Sequence, residues 1–181
     1  MTSIEIGRSK HASRAYSFDD VALVPMKRVR DAADVTLTWK IDAYEFEHPI
    51  MMAPMDSIAS PATVIEYSKL GGLAVLDLEG LWTRLEDPST ALNELASLKG
   101  SVGVKRLQEL YAAPVDADLM RERVSQLRDA GIAVAGALSP QAAAMHHDAV
   151  IKAGLDIFVI RGTTVSAEHV SEKSESLNLD R

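Results

Sequence analysis

The chain has 181 residues, 47% apolar and 25% charged, which admits one domain with a substantial core and excludes gross disorder. A net charge of -7 and a pI near 5.2 argue against nucleic-acid or anionic-membrane binding, but not against a small anion held by backbone N–H groups. There is no cysteine, which excludes disulfides, thiolate metal sites and thiol nucleophiles from this chain. The opening MTSIEIGRSKHASRAYS lacks an apolar signal core, and no run approaches the about 20 apolar residues of a membrane span, so the sequence reads as soluble and cytoplasmic.

Residues 1–41 form a polar, basic N-terminal arm with short strands. Within it SFDDVALVP (17–25) is strand-like, and VTLTWKI (35–41) alternates at period 2, as a half-exposed strand does. The pattern changes over residues 42–181. Ile50–Ala53 is a continuous apolar run, as in a strand buried on both faces. Ser60-Pro61 supplies an N-cap and a proline at the first helical position, and a helical stripe follows to Gly71-Gly72, where glycine stops it.

Leu73–Leu78 is the next buried strand. The junction KLGGLAVL recurs as DAGIAVAG and KAGLDIFV, each a helix end, a glycine and an apolar β run. These are β/α units at uneven spacing, and the wide interval holds helices at Ser89–Leu98, Val104–Tyr111 and Asp118–Ala130. Four buried strands, 50–53, 73–78, 132–138 and 155–160, therefore alternate with helices and are expected to pair in parallel. Ala53, Asp77, Ser139 and Arg161 should then lie at one common end. Two closures fit: an open doubly wound sheet, or half of a (β/α)8 barrel, which needs eight strands. The polar ending SEKSESLNLDR is read as a chain cut within a loop.

Four segments in order, SFDDVALVP (17–25), PIMMAPMDSIASP (49–61), GGLAVL (71–76) and AGLDIFVIRGTTVSA (153–167), resemble the IMP dehydrogenase/GMP reductase family. That family reads approximately FDDVLLxP, PIxSAPMDTVT, GGIGxIH and AGxDxxVxDSxxG. The nearest likeness is to its IMP dehydrogenase-related branch without CBS domains, since no such insert separates the second and third strands. The resemblance implies a partial (β/α)8 TIM barrel of about four units, the N-terminal half, from an oligomeric enzyme.

The resemblance also implies a purine mononucleotide as substrate and NAD or NADP as cofactor in the intact protein. On it, Ala53, Met55 and Asp56 fall at the nucleotide-contacting loop after the first barrel strand. Arg161, Gly162 and Thr163 fall where the family holds the nicotinamide cofactor. Two departures stand out. Ala53 replaces a serine that donates a hydrogen bond, and Arg161 replaces a carboxylate, reversing charge where a ribose diol would sit. The family's cysteine nucleophile has no counterpart here, so no catalytic residue is assigned and the isolated chain is expected to be inactive.

Plainer readings stand beside these. Met51, Met52 and Met55 suit core packing. Arg161 suits a surface ion pair as well as a phosphate. Asp77 and Glu79 share a strand face and suit either an exposed strand end or an acid–base pair. His146 and His147, adjacent on a helix, diverge by about 100° and suit solvent better than one metal ion. Gly100–Gly103 lacks the Lys-Ser/Thr ending of a phosphate loop. The leading expectation is an IMP dehydrogenase-related oxidoreductase converting IMP to XMP with NAD. The alternatives are a non-catalytic nucleotide-binding relative, a GMP reductase-type enzyme using NADPH, and an unrelated phosphate-binding barrel fragment.

Overall fold

The computed structural model describes residues 3–6, 8, 10–25 and 27–162. The chain divides into two units, Met1–Thr36 and Leu37–Arg181. In the first, β1 (Ser3–Glu5) pairs antiparallel with β2 (His11–Ser13), with Ile4 opposite Ala12. The SFDDVALVP segment, read as strand-like, instead begins with a 3-10 turn at Phe18–Asp20 and continues without a strand to Pro25. Asp20 Oδ2 accepts from both the N–H and the hydroxyl of Ser17, each at 2.9 Å. Such local bonds compete with an extended ladder.

The second unit opens with a hairpin of β3 (Trp39–Ile41) and β4 (Tyr44–Phe46), turning at Asp42 with φ 49°. The expected strand at 35–41 thus contributes only its last three residues. Then come β5 (Met51–Met52), α1 (Pro61–Lys69), β6 (Leu73–Asp77), α2 (Pro88–Ser97), α3 (Gly100–Tyr111) and α4 (Ala117–Asp129). β7 (Ala135–Leu138), α5 (Pro140–Ala153) and β8 (Ile157–Ile160) complete the described elements. The caps follow the sequence. Ser60 Oγ accepts from the Thr63 N–H at 3.1 Å, and Thr63 Oγ1 accepts from the Ser60 N–H at 2.8 Å. Gly154 ends α5 at φ 77°, a left-handed position that suits glycine.

The four strands lie in the order β5-β6-β7-β8, every neighbour parallel. β7 and β8 begin later than their apolar runs. Asp156 accounts for this, since its carboxylate accepts from the Val134 N–H at 2.8 Å and its own N–H donates to Val134 O at 3.0 Å.

Alternation at period 2 sorts the side chains onto two faces. Ala74, Leu76, Leu78 and Leu138 pack with α1, α4 and α5 residues such as Val64, Met120, Val124, Leu127 and Val150. Leu73, Val75, Ala135 and Ala137 face the other way, against Phe46, Trp39, Ile41 and Tyr44 of the hairpin and against Ile157 and Val159. The aromatic lid is fixed by Trp39 Nε1 donating to His48 O at 2.7 Å. Among the described residues, four parallel strands joined by three helical crossovers result, the arrangement of half a (β/α)8 barrel. No helix among the described residues is long and apolar enough to cross a membrane.

Candidate functional site at the strand ends

The inner-face stripes do not end where the strands do. Leu73-Val75 continues to Asp77, Ala135-Ala137 to Ser139, and Ile157-Val159 to Arg161. Parallel pairing brings these polar ends together with the loop that follows β5, at the end where barrel chemistry is carried. The common end expected for Ala53, Asp77, Ser139 and Arg161 is therefore present.

Arg161 closes the group. Its Nη1 donates to Pro54 O at 2.7 Å, and its Nη2 donates to Asp77 Oδ2 at 3.2 Å and Glu79 Oε1 at 3.0 Å. Glu79 in turn accepts from the Ser139 N–H at 3.1 Å and from its hydroxyl at 2.9 Å. One guanidinium and one carboxylate thus join the ends of all four strands. The Arg161 side chain is 39% exposed and that of Asp77 only 9%, so the pair spans the border between solvent and core. Burial pushes the Asp77 carboxyl above its usual range, against the opposing pull of the Glu79 N–H and Arg161. Burial also works against the Arg161 charge, but Asp77 and Glu79 outweigh it and hold its pKa above the ordinary value.

The other residues read as contacts are placed differently. Ala53 and Met55 are exposed on the β5–α1 loop, and Gly162 is exposed just after Arg161. Thr163 lies outside the described residues. Asp56 turns inward: its Oδ2 accepts from the Leu81 N–H at 2.7 Å and from the Tyr111 hydroxyl. Burial and this bond both raise the Tyr111 pKa, so the phenol stays protonated as a donor. Among the described residues Asp56 Oδ1 is buried without a partner, and a Cβ at Gly80 would come within 2.1 Å of it.

Two arginines that sequence reasoning passed over hold the loop after β6. Arg84 Nε donates to Glu79 O at 2.9 Å, and its Nη1 donates to the carbonyls of Tyr111 and Ala113. Arg123, buried on α4, donates to Trp82 O at 3.1 Å and Glu86 O at 2.7 Å. Neither carries a sequence signal, because the acceptors that fix this loop are backbone carbonyls; among the described residues the one side-chain acceptor is the Glu122 carboxylate beside Arg123. His146 and His147 lie on α5, exposed or half-exposed, and gather no metal-binding cluster among the described residues.

The fold defines a partial (β/α)8 barrel with a polar cluster on the loops after the strands. The family model for the IMP dehydrogenase / GMP reductase domain matches residues 15–178, and the chain belongs to that family. An uncharacterized oxidoreductase of Mycolicibacterium smegmatis is 40% identical, over 97% of this chain and 48% of its own length. A counterpart with the same description in Mycobacterium leprae is 39% identical over the same shares. The crystal structure of an IMP dehydrogenase/GMP reductase-like protein from Corynebacterium glutamicum superposes with a TM-score of 0.80 at 45% identity, covering 93% of this chain and 46% of that one. The chain thus spans about half the length of the curated relatives it matches.

Proposed function

We propose that this chain supplies the nucleotide-facing first half of a purine-nucleotide oxidoreductase of IMP dehydrogenase type, taking IMP to XMP with NAD. The observation that carries the reading is the family match across residues 15–178, combined with the exposed Ala53–Met55 loop at the mouth. In this reading the loop positions the purine mononucleotide, and Met55, half-exposed at 50%, offers an apolar surface to the base. The working form is a homo-oligomer in the cytoplasm.

A nicotinamide cofactor would supply the hydride exchange. The described residues do not fit its ribose at the end of β8, because Arg161 brings a positive charge there and both of its terminal nitrogens are engaged, by Pro54, Asp77 and Glu79. The cofactor is accordingly not assigned to Arg161, and no step is routed through it. That same misfit supports a second reading, a nucleotide-binding relative without catalysis.

The test joins this chain to the second half of the Corynebacterium glutamicum relative and titrates the folded barrel with IMP and GMP by calorimetry. Nicotinamide absorbance is followed with IMP plus NAD and with GMP plus NADPH. Binding with IMP-dependent NAD reduction is the expected result. Oxidation of NADPH with GMP would instead select the GMP reductase alternative. Binding without turnover moves the assignment to the non-catalytic relative, and a folded barrel that binds neither nucleotide refutes both readings. The chain alone, with no cysteine, is expected to show no turnover.

A further inference from the structure

We propose that Arg161 is a positioning residue, which fixes the loop after β5 through the Pro54 carbonyl rather than meeting a ligand itself. The proposal rests on the nucleotide reading of that loop and assigns what holds it in place. The Pro54 carbonyl lies between Ala53 and Met55, the two exposed residues given to the nucleotide. It accepts from Arg161 Nη1 at 2.7 Å. The opposite side of the fork is anchored on β6, where Nη2 meets Asp77 and Glu79. A planar guanidinium can hold a carbonyl with one nitrogen and carboxylates with another, in a fixed relation. The loop's other end is tied by Asp56 to Leu81 N–H and Tyr111. Pro54 and Asp56 are therefore clamped from two sides, leaving Met55 presented between fixed points and Ala53 next to the first of them. Positive charge at the β8 end serves the loop, which explains why a residue of the wrong sign for a ribose diol stands there.

The loop carries its own reporters. The Ile58 and Ala59 N–H groups both donate to Met55 O, at 3.0 and 2.8 Å. Hydrogen exchange at these amides is measured in the wild-type chain, in Arg161→Lys and in Arg161→Met. A lysine ammonium keeps its charge with Asp77 and Glu79 but cannot also reach Pro54 as a fork does. The expected result for Arg161→Lys is exchange at Ile58 and Ala59 faster by about tenfold or more, with the β6 and β7 amides and the melting temperature unchanged. Arg161→Met should release the loop as well and also lower the melting temperature. The proposal is overturned if Ile58 and Ala59 exchange at the wild-type rate in both variants, or if their change is matched by the β6 and β7 amides. It is also overturned if the joined barrel binds IMP as tightly with Arg161→Lys as without it. Since the exchange readout needs no ligand, a barrel that binds no nucleotide strikes the functional reading while the loop measurement still decides the clamp.

Discussion

The central strands β6 and β7 differ from the flanking strands β5 and β8. Every residue of β6 and β7 is buried. β5 is exposed at Met51 and half-buried at Met52, and β8 has no fully buried residue. All four carry apolar side chains of parallel-sheet type, so composition does not explain the contrast. Neighbours do. Among the described residues each central strand pairs on both edges, while β5 and β8 pair on one. Parallel sheets are stable when both faces and both edges are covered. The stability of this unit is therefore concentrated at its centre, while a polar network reaches across to the flanks through Arg161.

The largest expected effect tests where that stability sits. Leu76→Ala removes a fully buried side chain from the helix-facing core and should cost about 2–5 kcal/mol. Met51→Ala, on the exposed β5 edge at 53%, should stay within about 0.5 kcal/mol. Urea unfolding of the two variants compares them directly, and equal losses would erase the distinction between centre and flank.

Much of that centre was legible in the sequence. The apolar runs ending in Leu78, Leu138 and Ile160 gave parallel strands, and Ser60-Pro61 and Gly154 gave helix ends, because those signals are local. The common end of the strands followed from β/α alternation. What escaped depends on distant partners. Tyr44–Phe46 covers the inner face only because Val75 and Ala137 lie beneath it, and three alternating residues are too short a run to mark a strand. Asp56 was read as a substrate contact from its motif, but its orientation depends on Leu81 and Tyr111. Arg161 was weighed between ligand and ion pair, and only the positions of Pro54, Asp77 and Glu79 decide which contacts it makes.

The next effect in size concerns the joint between loop and core. Gly80→Ala would place a Cβ 2.1 Å from Asp56 Oδ1, forcing the carboxylate away from the Leu81 N–H. A loss of about 1–3 kcal/mol is expected. Thermal unfolding checks it, and an unchanged midpoint would mean that Asp56 is free to leave its tie.

A smaller effect tests the flanks. Unpaired apolar edges favour association, so sedimentation should show the chain assembling as its concentration rises. Lysine at Met51 should weaken that association by about tenfold, equivalent to about 1.4 kcal/mol. A wild-type chain that stays monomeric at high concentration would show that β5 and β8 need no covering.

The smallest effect lies where centre and flank meet, at Asp77, which belongs to a buried strand but pairs with Arg161. Burial is the larger influence and holds its carboxyl pKa above the usual range. Between the ordinary value and the raised one, the folded chain keeps a proton that the unfolded chain has lost. Stability from this group is therefore full at low pH and declines as pH rises through that window. Asp77→Asn cannot titrate, so the stability of the wild type relative to the variant should fall with rising pH across the mildly acidic range. Screening at the open mouth should keep the change below about 1 kcal/mol. Denaturant unfolding of both proteins at a series of pH values measures it. The opposite slope would mean that Arg161 outweighs burial, making the ion pair a net source of stability at neutral pH. Asp77 would then act with the flank rather than with the core from which its strand comes.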